Sequence, residues 1–213
     1  VLAGYGALSA LVAAPDAAGA GPLTFEGNLA GYIDRQFLPG KLIYGSFDPE
    51  GLLSTVPAVV TAMLGMFTGE FVRRSDIRGG RKTLWMAAAA AALLAAGLAF
   101  SGVLPVNKKL WSSTFVCVVG AYSLGMFALF YYLIDVRGWR RWTLFFRVVG
   151  LNSITIYLAQ RIVGFGRISD FFLGGIASKC PEAVAAVISS AGYVAVCWLF
   201  LYFLYRKNVF LKV

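Results

Sequence analysis

The sequence predicts an all-α protein, a multi-pass transmembrane helical bundle with five complete spans preceded by the tail of a sixth. Three observations lead there. Hydrophobic residues make up 59% of the 213-residue chain and charged residues only 14%, with a mean hydropathy of +0.75, more apolar surface than a soluble domain of this size can hide. The apolar residues fall in long runs, at 51–72, 83–104, 112–134, 143–165 and 184–205, each close to the ~20 residues that cross a bilayer. The basic residues collect in alternate gaps between those runs, the pattern of the positive-inside rule.

The opening stretch, VLAGYGALSALVAA, is too short to span and has no basic flank of the kind that starts a signal peptide. It reads as the end of a helix, and the chain as the C-terminal fragment of a longer one, forming a single transmembrane domain over 1–213. The segment 15–50 is net acidic, with Asp16, Glu26, Asp34, Asp48 and Glu50 against Arg35 and Lys41. Its aromatics, Phe25, Tyr32, Phe37, Tyr44 and Phe47, are too frequent for a floppy linker, so an outer loop packed on the membrane face is expected. A short amphipathic helix is expected near 28–37.

At the mouth of the first full span stands DPEG. Local rules make Asp48 an N-cap, Pro49 the first helical residue and Glu50 a carboxylate beside the positive helix end. A single cap would suffice, so Glu50 is also a candidate to bind an amine or orient a catalytic imidazole. Along that span Ser54, Ala58, Thr61, Ala62, Gly65, Thr68 and Gly69 form a stripe of small residues suited to close helix approach. Glu70 precedes Arg73 and Arg74 at pairing distance. The next span carries the alanine run WMAAAAAALLAAGLA, another closely packable surface.

The outer loop PVNKKLWSS sets Asn107, Lys108 and Lys109 beside Trp111. The lysines either snorkel to lipid phosphates or bind an anionic ligand. In the run 143–165, a continuous helix at about 3.6 residues per turn places Asn152, Ser153 and Gln160 on one arc. Those groups serve either interhelical hydrogen bonds or a polar cavity. The segment 166–183 reads as a Gly-rich outer loop with Phe171 and Phe172. The basic clusters at Arg73, Arg74, Arg78, Arg81 and Lys82, at Arg137, Arg140, Arg141 and Arg147, and at Arg206, Lys207 and Lys212 then face the cytoplasm.

That distribution accounts for the formal charge of +9 without nucleic acid. Cys117, Cys180 and Cys197 have neither metal-ligand nor disulfide-framework spacing, so no metal site is expected. The chain has no histidine, which removes the commonest general base.

Three segments, FDPEGLLSTVPAVVTAMLGMFTG, PVNKKLWSSTFV and GLNSITIYL, followed by the tail YRKNVFLKV, together resemble the C-terminal half of the heparan-alpha-glucosaminide N-acetyltransferase family, in its bacterial branch. The resemblance runs from about Asn28 to the end. It implies a multi-pass enzyme of the bacterial inner membrane, C-terminus in the cytoplasm, that moves acetyl from cytosolic acetyl-CoA to an amino sugar or glycan on the periplasmic side. The family's catalytic His lies upstream of this stretch, so the fragment alone is expected to be inactive. Carried over by motif, Asp48, Glu50 and Asn152 become catalytic candidates, and Asn107, Lys108, Lys109 and Ser153 candidates for substrate or cofactor binding. Some members have His where this chain has Gln160. The lipid bilayer and a homodimer are the expected partners. The competing class is a transporter or flippase for a lipid-linked or cell-wall sugar, which would not consume acetyl-CoA.

Overall fold

A computed structural model describes residues 1–211; Lys212, placed in the basic tail above, lies outside the described residues. The regular structure of the described residues is helical, joined by turns and loops, with one isolated bridge between Ala13 and Asn28. They divide into two compact units, Val1–Gly138 and Trp139–Val213.

The first unit holds α1 (Leu2–Leu11), α2 (Leu29–Phe37), α3 (Thr55–Arg73), α4 (Gly79–Ala99) and α5 (Ser113–Tyr131), the last running into a π-helical turn, Tyr132–Val136. Its centre is the pairing of α4 with α5. The alanine run makes this possible: Met86, Ala90 and Gly97 are buried on α4 against Val116, Gly120, Ala121 and Ala128 of α5, with small residues letting the backbones close in. A Cβ on Gly97 would stand 2.8 Å from the Val118 side chain and 3.2 Å from Cys117 Cβ. The small stripe of α3 turns to the same pair, since Thr61, Gly65, Thr68 and Gly69 line a groove of about 390 Å³ with Gly120 and Phe127.

The amphipathic helix expected near 28–37 is α2, capped by Asn28, whose Oδ1 accepts the Gly31 amide at 2.6 Å. The start of α3 is a correction. DPEG does not begin the helix; residues 48–54 form turns, and α3 opens at Thr55 behind Ser54. Asp48 is therefore not its N-cap. The ion pair at the other end also differs, for Arg74 pairs with Asp76 at 2.7 Å rather than with Glu70. Lys82, buried near the start of α4, donates to the Val72 carbonyl of α3 at 2.7 Å, satisfying one of the orphan carbonyls of that helix end.

The second unit holds α6 (Thr143–Leu151), α7 (Ser153–Ile162), α8 (Phe165–Ala177) and α9 (Glu182–Arg206). The run 143–165 is continuous as apolar sequence but not as helix: it divides at Asn152, whose backbone leaves helical geometry at φ −131°, ψ 32°. Among the described residues, the helices long and apolar enough to cross a membrane are therefore four, Thr55–Arg73, Gly79–Ala99, Ser113–Val136 and Glu182–Arg206, with Leu2–Leu11 a shorter apolar helix. The arc joining Asn152 to Gln160 is broken with it. The Gly-rich loop expected at 166–183 is mostly α8, which packs on α9 where Gly192 leaves room for Ser169 and Leu173. Phe171 and Phe172 stay exposed. Helix α9 also holds α6, with Trp198 Nε1 donating to the Phe145 carbonyl at 3.2 Å over stacked rings.

Candidate functional site

The site grows from α2. Once Asn28 fixes the first turn, Asp34 and Arg35 fall on opposite duties. Arg35 grips Asp16 with Nε at 2.8 Å and Nη2 at 2.7 Å, and its Nη1 donates to the Ser46 carbonyl, so one guanidinium closes the segment 15–50 on itself. That bidentate hydrogen bond holds the Asp16 carboxyl below the usual carboxylate range.

Asp34 points the other way and is completely buried. Its Oδ1 accepts the Leu52 amide at 2.9 Å and its Oδ2 the Asp48 amide at 3.4 Å. Gly51 lies directly against the carboxylate, where any Cβ would collide with it. Burial pushes the Asp34 carboxyl up, against the pull of those two amides. This is the physical reason that DPEG is a turn: the Asp48 amide, and the Leu52 amide that a helix capped at Asp48 would turn back to the Asp48 carbonyl, are both drawn sideways onto a carboxylate from another element.

Within the turn, Asp48 accepts the Glu50 amide at 2.9 Å and the Ile43 amide at 3.3 Å, an Asx turn. Glu50 is exposed, and among the described residues its carboxylate has no hydrogen-bond or ion-pair partner. One carboxylate supports the turn from beneath, one shapes it, and the third is presented to solvent.

The loop PVNKKLWSS is built as tightly. Asn107 Oδ1 accepts the Lys109 amide at 2.9 Å and the Leu110 amide at 3.4 Å, while the Asn107 amide donates to Ser112 Oγ at 3.0 Å. Ser112 also caps α5 through the Phe115 amide, and Thr114 Oγ1 donates to the Leu104 carbonyl. Trp111 sits in the left-handed region at φ 49°, and Tyr5 of α1 donates to the Leu110 carbonyl at 2.9 Å. Asn107 thus spends its carbonyl on shaping the loop, leaving Nδ2 as its donor. Asn107, Asn28, Tyr5, Ser9 and Ser112 line a cavity of about 20 Å³, the size of a water site. Lys108 is exposed. Lys109 reaches the outer segment, with Nζ 4.5 Å from the Tyr44 ring centroid.

Asn152 and Ser153 belong to the second unit. Asn152 is buried; its Nδ2 donates to the Val209 carbonyl at 3.2 Å, and its Oδ1 accepts from Thr155 Oγ1 at 3.1 Å and the Leu211 amide at 3.4 Å. Its carboxamide thereby pins the C-terminal tail. Ser153 is exposed.

The residues that sequence reasoning missed are Asp34 and Arg35. Both count there only toward an acidic balance, because α2 buries Gly31 and Asp34 while its aromatic Phe37 is exposed, the reverse of what the side-chain types advertise.

Fold and site together define a polytopic helical membrane protein with a braced, carboxylate-bearing turn ahead of its first long span. No family model matches the chain. The chain is 29% identical over 208 residues to heparan-alpha-glucosaminide N-acetyltransferase of Homo sapiens and 28% identical over 205 residues to that of Mus musculus, in each case over 88% of this chain. It spans 30% of the length of either relative. The resemblance to the heparan-alpha-glucosaminide N-acetyltransferase family carried by the three motifs therefore holds across nearly the whole chain.

Proposed function

We propose that the chain is part of a membrane acetyltransferase that moves acetyl from acetyl-CoA to an amino sugar. The observation that carries the site is Glu50: an exposed carboxylate without a partner among the described residues, on a turn braced from below by a buried one. An amine acceptor arrives protonated at neutral pH, and it must lose a proton before it can attack a thioester. Glu50 receives that proton directly, or holds the imidazole that does, since this chain has no histidine. Asp48 keeps the turn, Asn107 offers its Nδ2 to the developing oxyanion, and Lys108 meets an anionic group of the acceptor or donor. Asn152 keeps the second unit's tail in place, with Ser153 beside it. The protein sits in a bacterial inner membrane, with this site on the periplasmic face, the basic loops and the C-terminus in the cytoplasm, and a homodimer as its assembly.

The test is CoA thiol release from acetyl-CoA by the purified full-length protein in liposomes, with and without glucosamine. Amine-dependent release, reduced about a hundredfold or more in Glu50→Gln at normal expression, supports the reading. Glucosamine movement across the membrane without thiol release replaces it with a transporter.

A further inference from the structure

Three rings of the outer segment form a box. Phe47 is buried at its back and stacks on Phe25, with centroids 5.1 Å apart and planes 6° from parallel, and on Tyr44, at 5.1 Å and 10°. Phe25 and Tyr44 keep 37% and 50% of their surfaces open. The ammonium of Lys109, from the other loop, sits over both, 4.5 Å from the Tyr44 centroid and 5.2 Å from Phe25. An exposed lysine ordinarily leaves its charge in water; this one places it on the electron-rich ring faces, an attraction of about 0.5–1 kcal/mol or more at such sites. The carboxylates next to the box have the matching sign. Asp48 follows Phe47 directly, and Glu50 stands on the same turn, exposed and, among the described residues, unpaired. Lys109, folded onto the rings, is not offering its charge to an anion.

We infer that Phe25, Phe47 and Tyr44 form a binding site for the primary ammonium of an incoming amine, and that Lys109 fills this site as a built-in competitor until the amine displaces it. The inference rests on the amine-acceptor reading above: the box takes the acceptor in its protonated resting form, on the same turn as the carboxylate that later takes the proton. It assigns Lys109 a regulatory place, and it gives the aromatic richness of the outer segment a chemical purpose.

The test needs no acetyl-CoA. The lysines of the purified protein in detergent are reductively methylated with ¹³C, which keeps their charge, and the Lys109 resonance is identified by its loss in Lys109→Gln. Ring currents should set it apart from the other lysines. Adding glucosamine should return it to the ordinary lysine position, whereas N-acetylglucosamine, which has no charge, should leave it unmoved. Lys109→Gln should bind glucosamine about five- to tenfold more tightly than wild type, and adding Tyr44→Leu should abolish the gain. A Lys109 signal that stays in place at glucosamine concentrations saturating the protein overturns the inference. So does a Lys109→Gln variant that binds no tighter, or equal response to the neutral sugar. Amine-dependent thiol release with an unmoved Lys109 removes the box and keeps the acetyltransferase; a displaced Lys109 without thiol release does the reverse.

Discussion

Asp34 decides the local structure of the site, although it lies 14 residues before the turn it shapes. A buried carboxylate with two amide donors is costly to disturb, because each stranded N–H loses about 1–3 kcal/mol. Asp34→Asn keeps one acceptor but turns an NH₂ toward the other amide, so the thermal midpoint in detergent should fall by several degrees. The pH dependence has a definite sign. Burial raises the folded-state pKa of Asp34, so the folded protein holds this proton more tightly than the unfolded chain. The associated stability is fully present below the unfolded pKa and is lost as pH rises through the folded one. The advantage of wild type over Asp34→Asn should therefore be larger at acid pH and shrink toward neutrality; a gap that widens with pH would contradict the assignment. None of this is legible in DPEG itself. Asp, Pro and Glu in that order satisfy every local rule for a helix start, and only a distant carboxylate overrides them.

At the scale of elements, small residues play two different parts. Gly97 is pressed between α4 and α5, with Val118, Cys117 and the Thr114 carbonyl all within 3.3 Å of where a Cβ would stand. Gly97→Val should push the pair apart, lowering stability by roughly 1–3 kcal/mol as overpacked sites do, visible as a lower midpoint and reduced yield. Gly65, on the small stripe of α3, has nothing within 4 Å of its Cβ position, and Gly65→Ala should leave the midpoint unchanged or raise it, since alanine is the better helix former. Equal losses in both variants would mean that α3 packs tightly along that stripe. The sequence marks both stripes as closely packable, and the α4–α5 pairing bears out the alanine run. It does not reveal the break at Asn152, where a side chain bonded to the tail some 57 residues on divides an apolar run into α6 and α7. Nor does it reveal α8, whose glycines suggest a loop until α9 supplies a surface to pack on.

For the whole molecule, the distribution of charge makes a topological prediction. In a background with Cys117, Cys180 and Cys197 replaced by Ser, a cysteine at Glu50 should react with a membrane-impermeant maleimide in cells with permeabilised outer membranes. Cysteines at Arg74 and Lys207 should react only after the inner membrane is opened. Labelling of Arg74→Cys from outside would invert the proposed orientation. The sequence by itself determined the helical membrane class, the presence of four of the long spans and the amphipathic α2, because hydropathy and helical periodicity are properties of neighbouring residues, summed over a bilayer's thickness. It also placed Asn107, Lys108 and Lys109 in a loop, while it read Asp48 and Glu50 as a helix start. Only the tertiary structure decided how those residues and Asn152 are used: a turn drawn onto buried Asp34, an Asn107 carbonyl spent on the backbone of its own loop, an Asn152 tied to the tail, and a lysine seated over two rings. Apart from the local bonds of Asn107, each depends on partners far apart in the chain, and their meeting is set by packing that no local pattern encodes.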